Sequence, residues 1–194
     1  MERLIASEIA EEIIQLLLSN GGSEYIGEPV TKLEHMVQSA EIAAEKGLGE
    51  ELIIAALLHD IGHICEPTTS ENNMGGLGLH DHELLGGAFL QARGFADVVV
   101  QSVALHVPAK RYLCYKHPAY LALLSEASMQ TLSFQGGPMS EEEANLFEQN
   151  PFLESILAIR KIDEEAKIPN KPLPQNLEPY KQMIIRHLQK SQIE

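Results

Sequence analysis

The chemistry-bearing residues of this 194-residue chain begin with His59 and Asp60, side by side at the end of the apolar run Ile53–Leu58, with His63 four residues on. Continuous helix would put His59 and His63 on one face, with Asp60 about 100° round from His59. Charge beside such a run is costly unless it is paired or holds a metal. Other metal-capable residues mark separate helix ends: His35, His82, His106 and Asp163. Asp163 continues the stripe formed by Phe152, Ile156 and Ile159 at helical spacing. Four histidines and two aspartates are consistent with two metals bridged by one carboxylate. A donor set of nitrogen and oxygen alone suits iron or manganese better than a thiolate-bound structural zinc.

Cations stand close by. Arg160 precedes Asp163 by three and shares its helix face, and Lys110 and Arg111 follow His106. In a chain of formal charge -14, these point to a bound phosphate or phosphonate.

The elements that must position these groups read as all-α. Amphipathic helices are predicted over residues 2–18 and 32–46, and an apolar helix over 50–63. Residues 64–81, rich in Gly and Asn, read as a lid or entrance loop. Helices follow over 82–93 and 95–106, the second of which Pro108 is expected to end. Short helices are expected over 109–115 and 117–130, then over 141–149 behind the capping box Ser140–Glu143. Longer ones follow from Pro151 to about Lys167 and over 176–191, for eight to ten helices in all. The length suits a single domain over 1–194, with its metal-binding core in about 23–167 and a Pro-rich connector and last helix in 168–194.

Composition limits the partners. The acidic balance argues against a nucleic-acid binder. No run of about 18 apolar residues suggests a membrane span, and the segment Met1–Leu4 does not open a secretory signal. The two cysteines, Cys65 and Cys114, form no disulfide framework, so a reducing cytoplasm is expected.

His35, His59-Asp60, His82, His106 and Asp163 together resemble the HD-domain superfamily. Tyr25-Ile26-Gly27-Glu28, Leu33-Glu34-His35, the stretch His106–Leu113 and Gln135-Gly136-Gly137-Pro138-Met139-Ser140 are similar to its organophosphonate-cleaving oxygenase branch, over roughly residues 23–167. The resemblance implies an HD-domain helical bundle holding two iron ions, mixed-valent Fe(II)/Fe(III), with O2 as co-substrate. His35, His59, Asp60 and Asp163 would hold one iron, and Asp60, His82 and His106 the other. His63, Lys110, Arg160, Ser128 and Gln135 would hold the phosphonate, with Asp60 and His63 as catalytic residues. Tyr25 and Glu28 would meet the amino end, and Tyr25 would cover an open iron when substrate is absent. The implied reaction cleaves the C–P bond of a 1-hydroxy-2-(amino or trimethylamino)ethylphosphonate to glycine or glycine betaine and phosphate. A trimethylammonium end would want an aromatic cage, for which Tyr25, Tyr112, Tyr115 and Phe134 are candidates. Two other readings are a metal-dependent phosphohydrolase, which needs no O2, and a non-enzymatic ligand-sensing HD domain.

Overall fold

A computed structural model describes residues 5–25, 27–67, 69, 72–74 and 78–191. Its elements are α1 Ala6–Asn20, α2 Lys32–Glu45, α3 Glu50–Leu58, α4 Gly62–Cys65, α5 His82–Gln91, α6 Asp97–Ala104 and α7 His106–Lys116. A 3-10 turn Pro118–Leu123 follows, then α8 Glu126–Phe134, α9 Glu141–Phe147, α10 Leu153–Glu165 and α11 Glu178–Lys190. The fold is all-α, and the β pairing among the described residues is limited to the isolated bridges Glu24–Thr31 and Asn73–Leu79. The segment Met1–Leu4, the expected start of α1 there, and Thr68, Ser70, Glu71, Gly75, Gly76 and Leu77 of the expected lid lie outside the described residues.

Local chemistry sets the helix starts nearest the site. Thr31 caps α2: its hydroxyl accepts from the Glu34 N–H at 3.2 Å, and the Glu34 carboxylate accepts from the Thr31 N–H at 2.6 Å. That reciprocal box fixes the first turn, where His35 is fully buried. Ser140 caps α9 in the same way. The preceding loop turns back at Tyr25–Glu28, where the Glu28 N–H donates to the Tyr25 carbonyl at 2.7 Å and Gly27 takes a φ of 72°. A positive φ at that place suits glycine.

Three expected boundaries differ. The helix predicted over 50–63 tightens after Leu58. The chain keeps right-handed angles, but the N–H groups of Ile61, His63 and Ile64 bond three residues back, at 3.0 Å each. At about three residues per turn, four residues overshoot a full turn by roughly a third, so His59 and His63 do not share a face. Pro108 does not end a helix; it stands third in α7, where a missing N–H costs nothing. The break falls instead at Leu105. Residues 117–130 divide into the 3-10 turn and α8.

Apolar side chains form two clusters. One unites α1, α2, α3, α6 and α11; the other unites α7, the 3-10 turn, α8, α9 and α10. Helix α10 joins them, with Ile159 and Ile162 in the first and Ile156 in the second. Its next residue toward the C-terminus, Asp163, is thereby brought to the seam.

Gly62 permits the closest approach in this frame. A Cβ there would lie 1.9 Å from the His82 carbonyl oxygen and 2.7 Å from its carbon. Gly62→Ala is therefore expected to displace the start of α5 and to cost about 1–3 kcal/mol, the usual range for overpacking. A denaturation curve superimposable on wild type would show that α5 moves away freely.

Candidate metal centre

Five elements bring the metal-capable residues together. His35 comes from the first turn of α2, and His59 and Asp60 from the tightened turn after α3. His82 and His106 are the first residues of α5 and α7, and Asp163 lies in the last turn of α10. All six are buried, with none more than 5% exposed.

Asp60 divides the group into two halves. Its Oδ2 lies 3.6 Å from His35 Nε2 and 3.5 Å from His59 Nε2, and its Oδ1 lies 3.3 Å from His82 Nε2 and 3.5 Å from His106 Nε2. Asp163 Oδ1 joins the first half, 3.4 Å from His35 Nε2 and 3.8 Å from His59 Nε2.

The hydrogen bonds specify how each imidazole presents itself. Nδ1 of His35, His59, His82 and His106 lies 2.8, 2.8, 3.2 and 2.8 Å from the carbonyl oxygens of Ala166, Ala56, Leu79 and Val103. A carbonyl accepts only from N–H, so each Nδ1 carries its proton. In its neutral form each ring then turns an Nε2 lone pair inward, the arrangement that metal-bound histidines use. The Nε2 atoms of His35 and His59 are 3.0 Å apart, and those of His82 and His106 3.2 Å. Two lone pairs at that distance repel unless positive charge lies between them. Asp60 Oδ2 and Asp163 Oδ1 are buried and receive no hydrogen bond from a described residue. Orphaned carboxylate oxygens among converging lone pairs fit a cation in each half.

Electrostatics keeps the acids ionised. Burial works against the charge of Asp60, but the imidazoles around it, His59 first and then His106 and His82, hold its carboxyl well below the usual range. Burial opposes Asp163 too, and Arg160 and His35 prevail in the same direction. Burial brings His59 down to about 4, so it is a neutral donor at physiological pH. Arg160 stays charged despite burial through Asp163, Tyr120 and Glu164. Its Nη1 pairs with Asp163, its Nη2 with Glu164, and its Nε donates to Tyr120 Oη at 2.9 Å.

His63 differs from the other four. Its Nδ1 accepts from the Leu79 N–H at 3.3 Å, so the neutral ring carries its proton on Nε2. Burial, then repulsion from a proton on neighbouring His82, depresses its protonation well below the usual imidazole range. It stacks on His82 with ring centroids 3.9 Å apart. It offers an N–H donor, while His106 offers a lone pair.

Beside the two halves lies a small cavity of ≈ 40 Å³. Every residue expected to meet substrate lines it: Tyr25, Glu28, His63, Lys110, Ser128, Gln135 and Arg160. The Tyr25 ring stacks on His35 at 4.1 Å. Burial, with the charges of Asp60 and Asp163, pushes its phenol well up, so it is a neutral hydroxyl. Gln135 presents a buried Oε1 with no partner among the described residues. The glycines after it turn with φ of 93° and 71°, and Arg111 Nε holds the Gly137 carbonyl at 2.8 Å. Arg111 therefore anchors this turn rather than lining the cavity. Ser128 Oγ is engaged, donating to Glu164 at 3.0 Å and accepting from Lys167 at 3.1 Å. Of the expected aromatic candidates, only Tyr25 is among the described lining residues. Tyr112 packs on Phe147 and donates to Glu148, while Tyr115 and Phe134 are exposed.

Glu164 and Lys167 escaped the sequence reading. Both are largely buried, and Glu164 accepts from Arg160, the Ser125 N–H, Ser128 and Lys167. The i, i+3 and i, i+4 alternation of Arg160, Asp163, Glu164 and Lys167 was the available signal.

Burial and the neighbouring charge of Arg160 bring the Lys110 ammonium down to about 7; its Nζ meets Thr131 Oγ1 at 3.0 Å. An unfolded lysine keeps its proton to about 10.4, so folding releases one from Lys110 between about pH 7 and 10. By linkage this group makes stability rise with pH across that window. Lys110→Met should lose that part of the rise in denaturation midpoints measured from about pH 6 to 10. A wild-type-to-variant difference that stays constant with pH would put Lys110 at its ordinary value.

A family model described as HD domain matches residues 33–168. The chain is 45% identical over 170 residues to a 1-hydroxy-2-(trimethylamino)ethylphosphonate dioxygenase (glycine-betaine-forming) of Leisingera caerulea, covering 86% of this chain and 84% of that protein. It is 39% identical over 158 residues to a hydroxymethylphosphonate dioxygenase of Gimesia maris, covering 81% and 78%. An uncharacterized protein of Acanthamoeba polyphaga mimivirus is 41% identical over 191 residues, covering 98% and 86%.

Proposed function

The chain belongs to the HD-domain family, and from that premise we propose that it is a phosphonate dioxygenase. It cleaves the C–P bond of a 1-hydroxy-2-(amino or trimethylamino)ethylphosphonate, giving a carboxylic acid and phosphate. The balance is one 1-hydroxyphosphonate and one O2 in, one carboxylate, one phosphate and one proton out. The observation that carries this reading is a cavity lined by Lys110, Arg160 and Gln135 that also reaches His82, His106 and Asp163 of the two imidazole–carboxylate halves.

The donor set, nitrogen and oxygen without thiolate, supports iron. His35, His59, Asp60 and Asp163 would hold one ion and Asp60, His82 and His106 the other, with Asp60 shared. A mixed-valent iron pair would supply the redox chemistry by which O2 enters the reaction.

The chain's own residues bind and orient the substrate. Lys110, charged when an anion is near, neutralises the phosphonate, and the second N–H on each Arg160 Nη is free of its carboxylate partner. The Nε2–H of His63 donates to a phosphonate oxygen and fixes the substrate beside Asp60. Gln135 completes that end. Tyr25, stacked on His35, covers the first half until substrate displaces it. Met74 and Val107 supply the apolar wall that limits water. Holding the reacting carbon in one orientation is the protein's main kinetic contribution.

Iron-loaded protein given the 2-trimethylamino and 2-amino substrates should consume O2 and release phosphate in equal amounts, with neither without O2. Phosphate release from phosphate monoesters without O2 uptake would place the chain among the HD hydrolases. Asp163→Ala should retain about one of the two irons and lose at least about 100-fold in activity, since even the loss of an outer-shell partner commonly costs roughly 10–100-fold. Full iron content in that variant would remove Asp163 from the ligand set.

A further inference from the structure

Arg160 meets the cavity with its guanidinium already held on three sides. Nη1 pairs with Asp163 and Nη2 with Glu164, and Nε donates to Tyr120 Oη at 2.9 Å. A guanidinium carries five N–H donors in one fixed plane, so one remains on each Nη. Arg160 lines the cavity beside Lys110 and His63, and these two donors are the ones left for an anion there.

The three supports differ in origin. Asp163 and Glu164 stand on the next turn of α10 and travel with Arg160. Tyr120 comes from the 3-10 turn Pro118–Leu123, where its N–H donates to the His117 carbonyl at 2.7 Å. Its ring is buried in the second apolar cluster with Leu113, Leu132 and Ile156. It therefore fixes the guanidinium plane relative to the rest of the fold. The carboxylates also have other partners: Asp163 Oδ1 faces His35 and His59, and Glu164 accepts from Ser125, Ser128 and Lys167. Among the described residues, the Tyr120 hydroxyl bonds Arg160 alone. Tyr120 itself is not among the described residues that line the cavity.

The chemistry of this acceptor matters. Two carboxylates already meet the single positive charge of Arg160. A third at Nε would repel an incoming phosphonate, whereas a phenol accepts the N–H and adds no net charge. Burial pushes the Tyr120 phenol up, so it stays neutral. Without that oxygen the buried Nε–H is left unpaired, which is costly. A guanidinium that turns to satisfy it carries its two remaining donors away from the cavity.

Resting on the dioxygenase reading, we propose that Tyr120 is a positioning residue, whose hydroxyl fixes the plane of Arg160 so that its two remaining N–H groups meet the phosphonate.

The test removes that one oxygen. In iron-loaded Tyr120→Phe, KM for 1-hydroxy-2-(trimethylamino)ethylphosphonate and its 2-amino counterpart should rise about tenfold, the scale of one buried donor left unpaired. The change in kcat should be smaller, and iron content should equal that of wild type. Calorimetric titration with inorganic phosphate, without O2, should show a similar rise in Kd. Arg160→Lys keeps a cation but has no Nε for Tyr120 to hold. In that background Tyr120→Phe should change the phosphate Kd by less than about twofold, because coupled residues are not additive. An unchanged Kd in Tyr120→Phe overturns the proposal, and so does a wild type that binds no phosphate. Equal weakening in both backgrounds overturns it too, since a merely structural role is additive. Where Arg160→Lys binds phosphate too weakly to titrate, a fall in kcat with KM kept in Tyr120→Phe overturns it, and a rise in KM with kcat kept supports it. If iron-loaded wild type consumes no O2 with either substrate, the dioxygenase reading fails, and the phosphate titrations alone then decide the role of Tyr120.

Discussion

The Asp60 carboxylate is 1% exposed and turns one oxygen toward each of two imidazole pairs. An ionised carboxylate at that depth costs several kcal/mol unless positive charge meets it on both sides. The fold is arranged to satisfy that condition. The carbonyls of Ala56, Leu79, Val103 and Ala166 each take the Nδ1 proton of a neighbouring histidine, so the four inner nitrogens present lone pairs. Three of these carbonyls lie three residues before the histidine they hold, at the ends of α3, α6 and the segment before α5. The same chain breaks that start new elements therefore also set the tautomers.

Charge alternates outward from this centre. Arg160 bridges Asp163 and Glu164, and Lys167 bridges Glu164 and Glu28. Along this path from Asp163 to Glu28 each charge touches opposite charge, which offsets the cost of burial. The chain as a whole is strongly acidic, yet the cavity it encloses is lined by Lys110, Arg160 and Lys167. A field of that sign, in a site shielded from water, suits an anionic substrate.

Much of the centre was legible in the chain itself. Helix ends marked by His35, His59-Asp60, His82 and His106 named the metal-capable residues, because such groups beside apolar runs have few other physical explanations. Asp163 emerged from the period of one helix, as Arg160 did from its spacing to Asp163. Thr31 and Ser140 announced their caps through a glutamate three residues on. The turn after α3 was read as ordinary helix, since nothing in Ile61 or Gly62 alone prescribes three-residue bonding. Pro108 was read as a stop, because its place relative to a helix start depends on where the preceding helix breaks.

The sequence by itself determined the all-α class, the identity of the metal-capable side chains and the cations that accompany them. These follow from residue type and short-range period, which local chain geometry enforces. Tertiary structure alone decided that His63 offers an N–H where His106 offers a lone pair. It alone decided that Lys167, far from Glu28 along the chain, comes within 3.1 Å of its carboxylate. Each depends on which backbone atoms and side chains approach from distant segments, and close approach between segments is set by packing rather than by period.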